Sequence, residues 1–209
     1  PKQVQPGTAE QPPSDAIVLF GGSSLAAWAS TRGGAAQWDI EDDSLIVKPG
    51  TGDITTTASF GSVQLHAEWR TPAEVVGDSQ DRGNSGIFLM GAYEVQVLDS
   101  TNNPTYVNGQ ASSIYKQHIP LVNASLGPGE WQTYDIVFMA PLFGTDGRLA
   151  RPATFTVFHN GILVQNNVVV QGPTEYIGNP NYKTHGELPL TLQDHGSPVA
   201  YRNIWLRRL

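Results

Sequence analysis

The chain has 209 residues, with 22 Gly, 15 Pro, no Cys and a net charge of −7. Glycine and proline are the weakest helix formers, which excludes a coiled coil or helical bundle, while 39% hydrophobic and 9% aromatic residues are enough to bury a core and argue against disorder. The acidic balance and the lack of any basic run exclude a nucleic-acid partner, no apolar run is long enough for a membrane helix, and without Cys there is no disulfide, thiolate nucleophile or zinc–thiolate site.

Residues 1–15 (PKQVQPGTAEQPPSD) are rich in Pro and Gln and lack apolar periodicity. They read as a flexible tether left after processing, ahead of one domain at 16–209, and fit a secreted or periplasmic protein. An apolar run at 16–20 predicts the first strand, and one turn of helix is expected near 25–28. Residues 37–41 and 45–48 flank Asp42-Asp43-Ser44 and predict a hairpin. The segment 62–70 (SVQLHAEWR) alternates cleanly, with Val63, Leu65, Ala67 and Trp69 on one face and His66, Glu68 and Arg70 on the other. Further strands are expected at 85–90, 93–98, 131–139, 153–159, 162–165, 188–193 and 200–206. Asn160-Gly161 is a strong hairpin signal. The stretch 99–130 is long, irregular and rich in Asn, Gly, Ser and Pro, and loops of that length are usually functional. The pattern predicts an all-β sandwich of two antiparallel sheets.

Four groups of residues carry chemistry. Glu94 and Gln96 share a strand face, ~7 Å apart. Asp99 points the other way unless a β-bulge intervenes. A retaining glycosidase needs carboxyls about 5–5.5 Å apart, and the short Asp side chain widens the gap; the alternative is a solvated strand face followed by a turn Asp. His66 with Glu68 can be a base with its orienting partner, a pair of metal ligands, or an exposed polar face. Gln193 and His195 share a face at a strand end, and Arg202 is either a substrate contact or half of a structural ion pair. Tyr106, Tyr115, Lys116 and His118 lie in the long loop, where aromatics can stack on sugar rings or simply anchor the loop. His159 and His185 carry no expected role in a site.

Several blocks resemble one family. Leu19-Phe20-Gly21-Gly22 through Trp28, Phe60-Gly61 through Arg70, Arg82-Gly83-Asn84-Ser85-Gly86 and Tyr93-Glu94-Val95-Gln96-Val97-Leu98-Asp99 are similar to motifs of the 3-keto-disaccharide hydrolase domain family. Gly129-Glu130-Trp131, His159-Asn160-Gly161, Gln193-Asp194-His195-Gly196 and Arg202-Asn203-Ile204-Trp205 continue the likeness. Gly21 stands where the family often has Asn. The resemblance implies a concanavalin A-like jelly roll and activity on glycosides oxidised to a ketone at C3.

A C3 ketone acidifies the C2 proton, so a base can remove it and the C1 substituent leaves by elimination, with or without later addition of water. The resemblance then implies His66 or His195 as the base, with Glu94 orienting it or acting as the acid. Arg202 or a bound cation would hold the enolate oxygen. Glu68, Gln96, Asp99, Tyr115, Lys116 and Gln193 would contact the carbohydrate substrate. No cofactor is called for, although a divalent cation held by His and Glu is an alternative stabiliser. The competing readings are a non-catalytic carbohydrate-binding module and an endo-acting glycoside hydrolase using Glu94 and Asp99.

Overall fold

The computed structural model describes residues 1–8 and 11–209. Fifteen strands follow one another: β1 (Ile17–Phe20), β2 (Trp28–Ser30), β3 (Asp39–Glu41), β4 (Ser44–Ile46), β5 (Ile54–Phe60), β6 (Val63–Arg70), β7 (Ser85–Leu89), β8 (Tyr93–Val97), β9 (Gln132–Met139), β10 (Leu142–Phe143), β11 (Leu149–Arg151), β12 (Thr154–His159), β13 (Ile162–Val169), β14 (Leu188–Leu192) and β15 (Ala200–Arg208). The larger sheet runs β13-β12-β9-β6-β15-β4-β3, with β1 also paired to β15. The second sheet runs β2-β5-β14-β7-β8. All pairings are antiparallel. The result is the expected two-sheet sandwich of the jelly-roll type.

Period-two alternation explains the core. Val63, Leu65, Ala67 and Trp69 of β6 are buried, as are Tyr134, Ile136 and Phe138 of β9. They meet Ile87 and Leu89 of β7, Tyr93, Val95 and Val97 of β8, and Leu190 and Leu192 of β14 in a single cluster. The predicted hairpins form where the turn chemistry allows them. Asp42 and Asp43 have φ of 46° and 58°, and Asn160 and Gly161 have 51° and 77°, the left-handed pair that a two-residue turn of right-handed twist requires.

Two expectations change. The turn before Trp28 is a single hydrogen-bonded bend, Trp28 N–H to Leu25 C=O, and the chain then enters β2 rather than a helix. Strand β5 (ITTTASF) carries no apolar run and escapes the sequence reading. Its buried Thr56 is accommodated because the hydroxyl donates to Ala58 C=O at 2.7 Å and accepts from Leu190 N–H at 3.0 Å. At the N-terminus, Asp15 accepts two bonds from the Arg207 guanidinium, at 2.7 and 2.8 Å. Residues 9–10 of the expected tether lie outside the described residues.

The loop at 99–130 covers the open edge of the second sheet. Strand β8 is the edge strand, and its free hydrogen-bonding side is taken by residues 112–115 of the loop. Ser112 N–H donates to Gln96 C=O and Gln96 N–H donates to Ser113 C=O, both at 3.0 Å, and Tyr115 N–H donates to Glu94 C=O at 3.3 Å. Side chains from the larger sheet hold the cover down. The Tyr134 hydroxyl donates to Gln96 C=O at 2.7 Å, Gln165 Nε2 donates to Ser112 C=O at 3.0 Å, and Ser112 Oγ meets His159 Nδ1 at 2.8 Å. Burial depresses the His159 pKa to about 4, so its ring stays neutral.

Tyr134→Phe removes the bond that joins the two layers beneath the loop. It should lower the unfolding free energy by about 1–2 kcal/mol and speed proteolysis within 99–130. Denaturant titration and limited proteolysis read both effects, and an unchanged midpoint would discard this account of the loop anchor.

Candidate active-site cleft

The outward face of the second sheet carries a cleft of about 480 Å³. Its floor is Phe88, Glu94 and Gln96, its walls include Asn84, Gln193 and His195, and its far side is Tyr106, Tyr115 and Tyr176. Glu94 and Gln96 lie there because Tyr93, Val95 and Val97 claim the core side of β8. The loop that pairs with β8 then roofs them, leaving Glu94 only 4% exposed.

The Glu94 carboxyl receives no hydrogen bond among the described residues. Burial, with the negative charge of Asp53 as a smaller contribution, pushes its pKa up to about 8. Glu94 therefore holds a proton at neutral pH. Room for the carboxyl comes from Gly86 on the neighbouring strand, where a Cβ would stand 2.6 Å from Glu94 Oε1.

Three residues lining the same cleft, Asn84, Gln96 and Gln193, have a side-chain amide oxygen that is buried and unpaired. The orientation of two follows from their nitrogens. Asn84 Nδ2 donates to Gln80 C=O at 2.6 Å, and Gln96 Nε2 donates to Gln80 Oε1 at 3.0 Å. Buried acceptors without donors cost free energy, about 1–3 kcal/mol each. Such a set is suited to a ligand rich in hydroxyl donors.

His195 lines the cleft, exposed, and its ring makes no hydrogen bond among the described residues, although it interacts electrostatically with Asp53. The backbone around it is braced. Asp194 N–H donates to Asp53 Oδ1 at 2.9 Å, and Asp194 Oδ2 and Oδ1 accept from Gly52 N–H and Gly196 N–H at 2.9 and 3.0 Å. Gln193 N–H donates to Gly86 C=O at 3.0 Å, which ties this segment to β7. Across the cleft the Tyr106 and Tyr115 hydroxyls share a short hydrogen bond. Burial raises the pKa of both phenols, so both keep their protons. One proton bridges the pair, and the other remains available to a ligand.

The structure separates the residues singled out from sequence into three places. Glu94, Gln96, Tyr115, Gln193 and His195 meet in the cleft. Lys116 sits behind it, its ammonium 3.8 Å from the Tyr106 ring centroid and 5.0 Å from that of Tyr176. His66, Glu68 and Arg202 lie on the outward face of the larger sheet, on the other side of the sandwich. There His66 Nδ1–H donates to Asp135 at 2.8 Å and its ring stacks on Trp205, while Arg202 donates to Glu68 at 2.6 Å and covers Trp131. His66 and His195 thus cannot serve one bound ligand.

Asp99 also departs from expectation. β7 and β8 pair residue for residue without a bulge, so Asp99 does not rejoin the face of Glu94. It accepts from Arg82 Nε at 2.7 Å and lines a neighbouring cavity instead. Sequence reasoning did not single out Asn84, Asp53 or Tyr176. Asn84 and Tyr176 line the cleft, whereas Asp53 acts on Glu94 only through its charge; the block Arg82-Gly83-Asn84-Ser85-Gly86 is the one local signal, and nothing in the sequence around Asp53 or Tyr176 marks them. Among the described residues no group of three or more His, Asp or Glu could hold a metal ion. No helix among them is long and apolar enough to cross a membrane.

The family model described as the 3-keto-alpha-glucoside-1,2-lyase-like domain matches residues 15–207. The chain belongs to this family. It is 52% identical to a candidate glycosyl hydrolase of Parabacteroides distasonis with a crystal structure, over 100% of this chain and 92% of that one, with a TM-score of 0.96. A second candidate glycosyl hydrolase of that organism shares the fold at 19% identity, with a TM-score of 0.68 over 93% of this chain and 94% of that one. No curated protein matches. Family and fold mark the chain as a glycosyl hydrolase-like, carbohydrate-related domain.

The raised pKa of Glu94 has a consequence for stability. In the unfolded chain its carboxyl ionises near 4.5, in the folded protein near 8. Between those values unfolding releases a proton, so rising pH favours the unfolded chain. Stability from this group is complete below the lower value and is lost progressively up to the higher one, at up to about 1.4 kcal/mol per pH unit. Glu94→Gln lacks this dependence. Its advantage over the parent protein should be absent at pH 4.5, grow to pH 8 and then level off. Thermal unfolding across that range tests it, and parallel curves for the two proteins would refute a protonated Glu94.

Proposed function

We propose that the chain is an enzyme that cleaves glycosides already oxidised to a ketone at C3, by abstracting the C2 proton and eliminating the C1 substituent. The observation that carries this reading is the pairing, in one cleft, of a buried protonated carboxyl with an exposed imidazole that makes no hydrogen bond among the described residues. The description of the matched family, a lyase of 3-keto-α-glucosides, supports the same reaction class.

The steps follow from the residues. The ring of His195 takes the proton from C2, and the C–H electron pair becomes an enolate whose charge rests on the C3 oxygen. The free phenolic O–H of the Tyr106–Tyr115 pair hydrogen-bonds to that oxygen and keeps its proton, which is the electrostatic help an enolate needs. The enolate then collapses. The C3 carbonyl reforms, a double bond forms between C1 and C2, the C1–O bond breaks, and Glu94 gives its proton to the departing oxygen. The products are an enone and a free hydroxyl compound. His195 returns its proton to solvent and Glu94 regains one. Water adding to C1 of the enone turns the outcome into net hydrolysis. The unpaired oxygens of Asn84, Gln96 and Gln193 accept from the remaining sugar hydroxyls.

This reaction needs one acid and one base of different kinds. It does not need the matched carboxyl pair of ordinary glycosidases. The hydrolase built on Glu94 and Asp99 loses its second member, because Asp99 is held by Arg82 outside the cleft.

Matched 3-keto and native glycosides test the proposal. The keto member alone should be turned over, with enone absorbance in the ultraviolet. Activity should decline as pH rises through about 8, where Glu94 ionises. Both His195→Ala and Glu94→Gln should lower kcat/KM by at least ~10², while His66→Ala should keep full rate. Turnover of the native member would point instead to Glu94 acting with Asp81, the other carboxylate on the cleft wall. Binding of a glycan without turnover of either would make the domain a binding module.

A further inference from the structure

Beside the cleft lies a second cavity of about 290 Å³, lined by Thr71, Pro72, Val75, Val76, Arg82, Gly83, Asp99 and Pro198 among others. Asp81 borders both spaces. Two segments run along the boundary. Gln80 and Asn84 face the cleft while Arg82 and Gly83 face the cavity, and His195 faces the cleft while Gly196 faces the cavity. A ligand seated against His195 and Glu94 therefore has this cavity as its neighbour.

We infer that this cavity receives the leaving group of the substrate, and that the leaving group it fits is a neutral, apolar aglycone, above all an aromatic one. The inference rests on the cleft being the sugar site, and it adds the class of group attached at C1.

The lining argues for that class. Pro72, Val75, Val76 and Pro198 supply an apolar surface. Val75 and Val76 are 46% and 70% exposed, adjacent to one another on the rim. Two neighbouring aliphatic side chains standing in water gain free energy when a ligand covers them. Their loop is fixed rather than loose: Gly77 adopts φ +79°, and a Cβ there would stand 2.9 Å from Asp81 C=O, so the loop packs directly on the turn that carries Asp81.

The polar groups argue against other classes. Among the described residues Arg82 is the one cation in the lining, and it is spent on Asp99 at 2.7 Å and on Thr101 C=O at 3.1 Å. Glu74 and Asp81 leave the cavity with negative charge and no free cation to receive an acid or a phosphate. Among the described residues no aromatic side chain lines the space, so they offer no flat platform for a second sugar ring to stack on.

Benzyl and methyl 3-keto-glucosides separate the cavity from the chemistry, because both release a simple alkoxide of similar basicity. The parent protein should favour the benzyl compound by about tenfold in kcat/KM. The double variant Val75→Ser/Val76→Ser lies on an exposed loop and should fold normally. It should remove that preference through KM while leaving the methyl compound unaffected. Equal rates on both compounds in the parent protein, or an equal loss on both in the variant, would overturn the inference with the 3-keto reading intact. Calorimetry with unreactive benzyl and methyl glucosides reads the cavity without turnover. Tighter benzyl binding that the double variant abolishes would retain the aglycone pocket even if no keto compound reacts, and equal affinities would reject it.

Discussion

Burying a carboxyl away from donors costs free energy, and Glu94 meets that cost by holding its proton. The rest of the cleft depends on this. Its burial comes from the pairing of residues 112–115 with the edge of β8, and that pairing is held from below by Tyr134, His159 and Gln165. A sheet edge left open invites pairing with another chain. Here the chain closes its own edge, and the same hydrogen bonds that protect it create the dry space that keeps Glu94 neutral. One structural device thus links stability, solubility of the edge and the protonation state of the acid.

The sandwich could be read from alternation because a strand with one face in the core writes that face into every second residue. β6, β8, β9 and β12 do so plainly. β5 does not, because its inward Thr56 is made tolerable by hydrogen bonds to Ala58 on its own strand and to Leu190 far along the chain. The same limit explains the site. Alternation tells which residues of a strand face outward, but a sandwich has two outward faces. His66 and Glu68 on β6 and Glu94 and Gln96 on β8 share one sequence signature and stand on opposite sides of the protein. His195 joined Glu94 because β14 neighbours β7, and strand order is not written in periodicity. Asn84 could be noticed only as part of a family-like block and not as a site residue, and Tyr176 could not be found at all, since its local sequence resembles any loop.

The residues on the far face are accounted for by packing. Glu68 neutralises Arg202, Arg202 covers Trp131, and His66 is held between Asp135 and the Trp205 ring. Each polar group there has a partner. The cleft is the reverse: three of its residues, Asn84, Gln96 and Gln193, have buried side-chain oxygens without partners, beside a buried carboxyl that receives no hydrogen bond among the described residues. Native proteins satisfy nearly all buried polar groups. A concentration of exceptions in one concave place is therefore more informative than the residue types themselves, and it separates two faces that looked alike in sequence.

Unpaired acceptors of this kind also bear on what the cleft selects. Each waits for a hydroxyl donor, and a site with buried acceptors penalises a ligand that lacks one. The oxidised carbon of a 3-keto sugar offers an acceptor in place of a donor, so it fits poorly against an amide oxygen and well against the free phenolic proton of Tyr106 and Tyr115. The cleft is lined both by Asn84, Gln96 and Gln193, with their unpaired amide oxygens, and by the hydrogen-bonded tyrosine pair with its one free donor. Under the elimination reading, that contrast between acceptors and donor turns the sugar so that its ketone faces the tyrosines. The ring's orientation is then set by which hydrogen bonds the ligand can make, before any bond to carbon is broken.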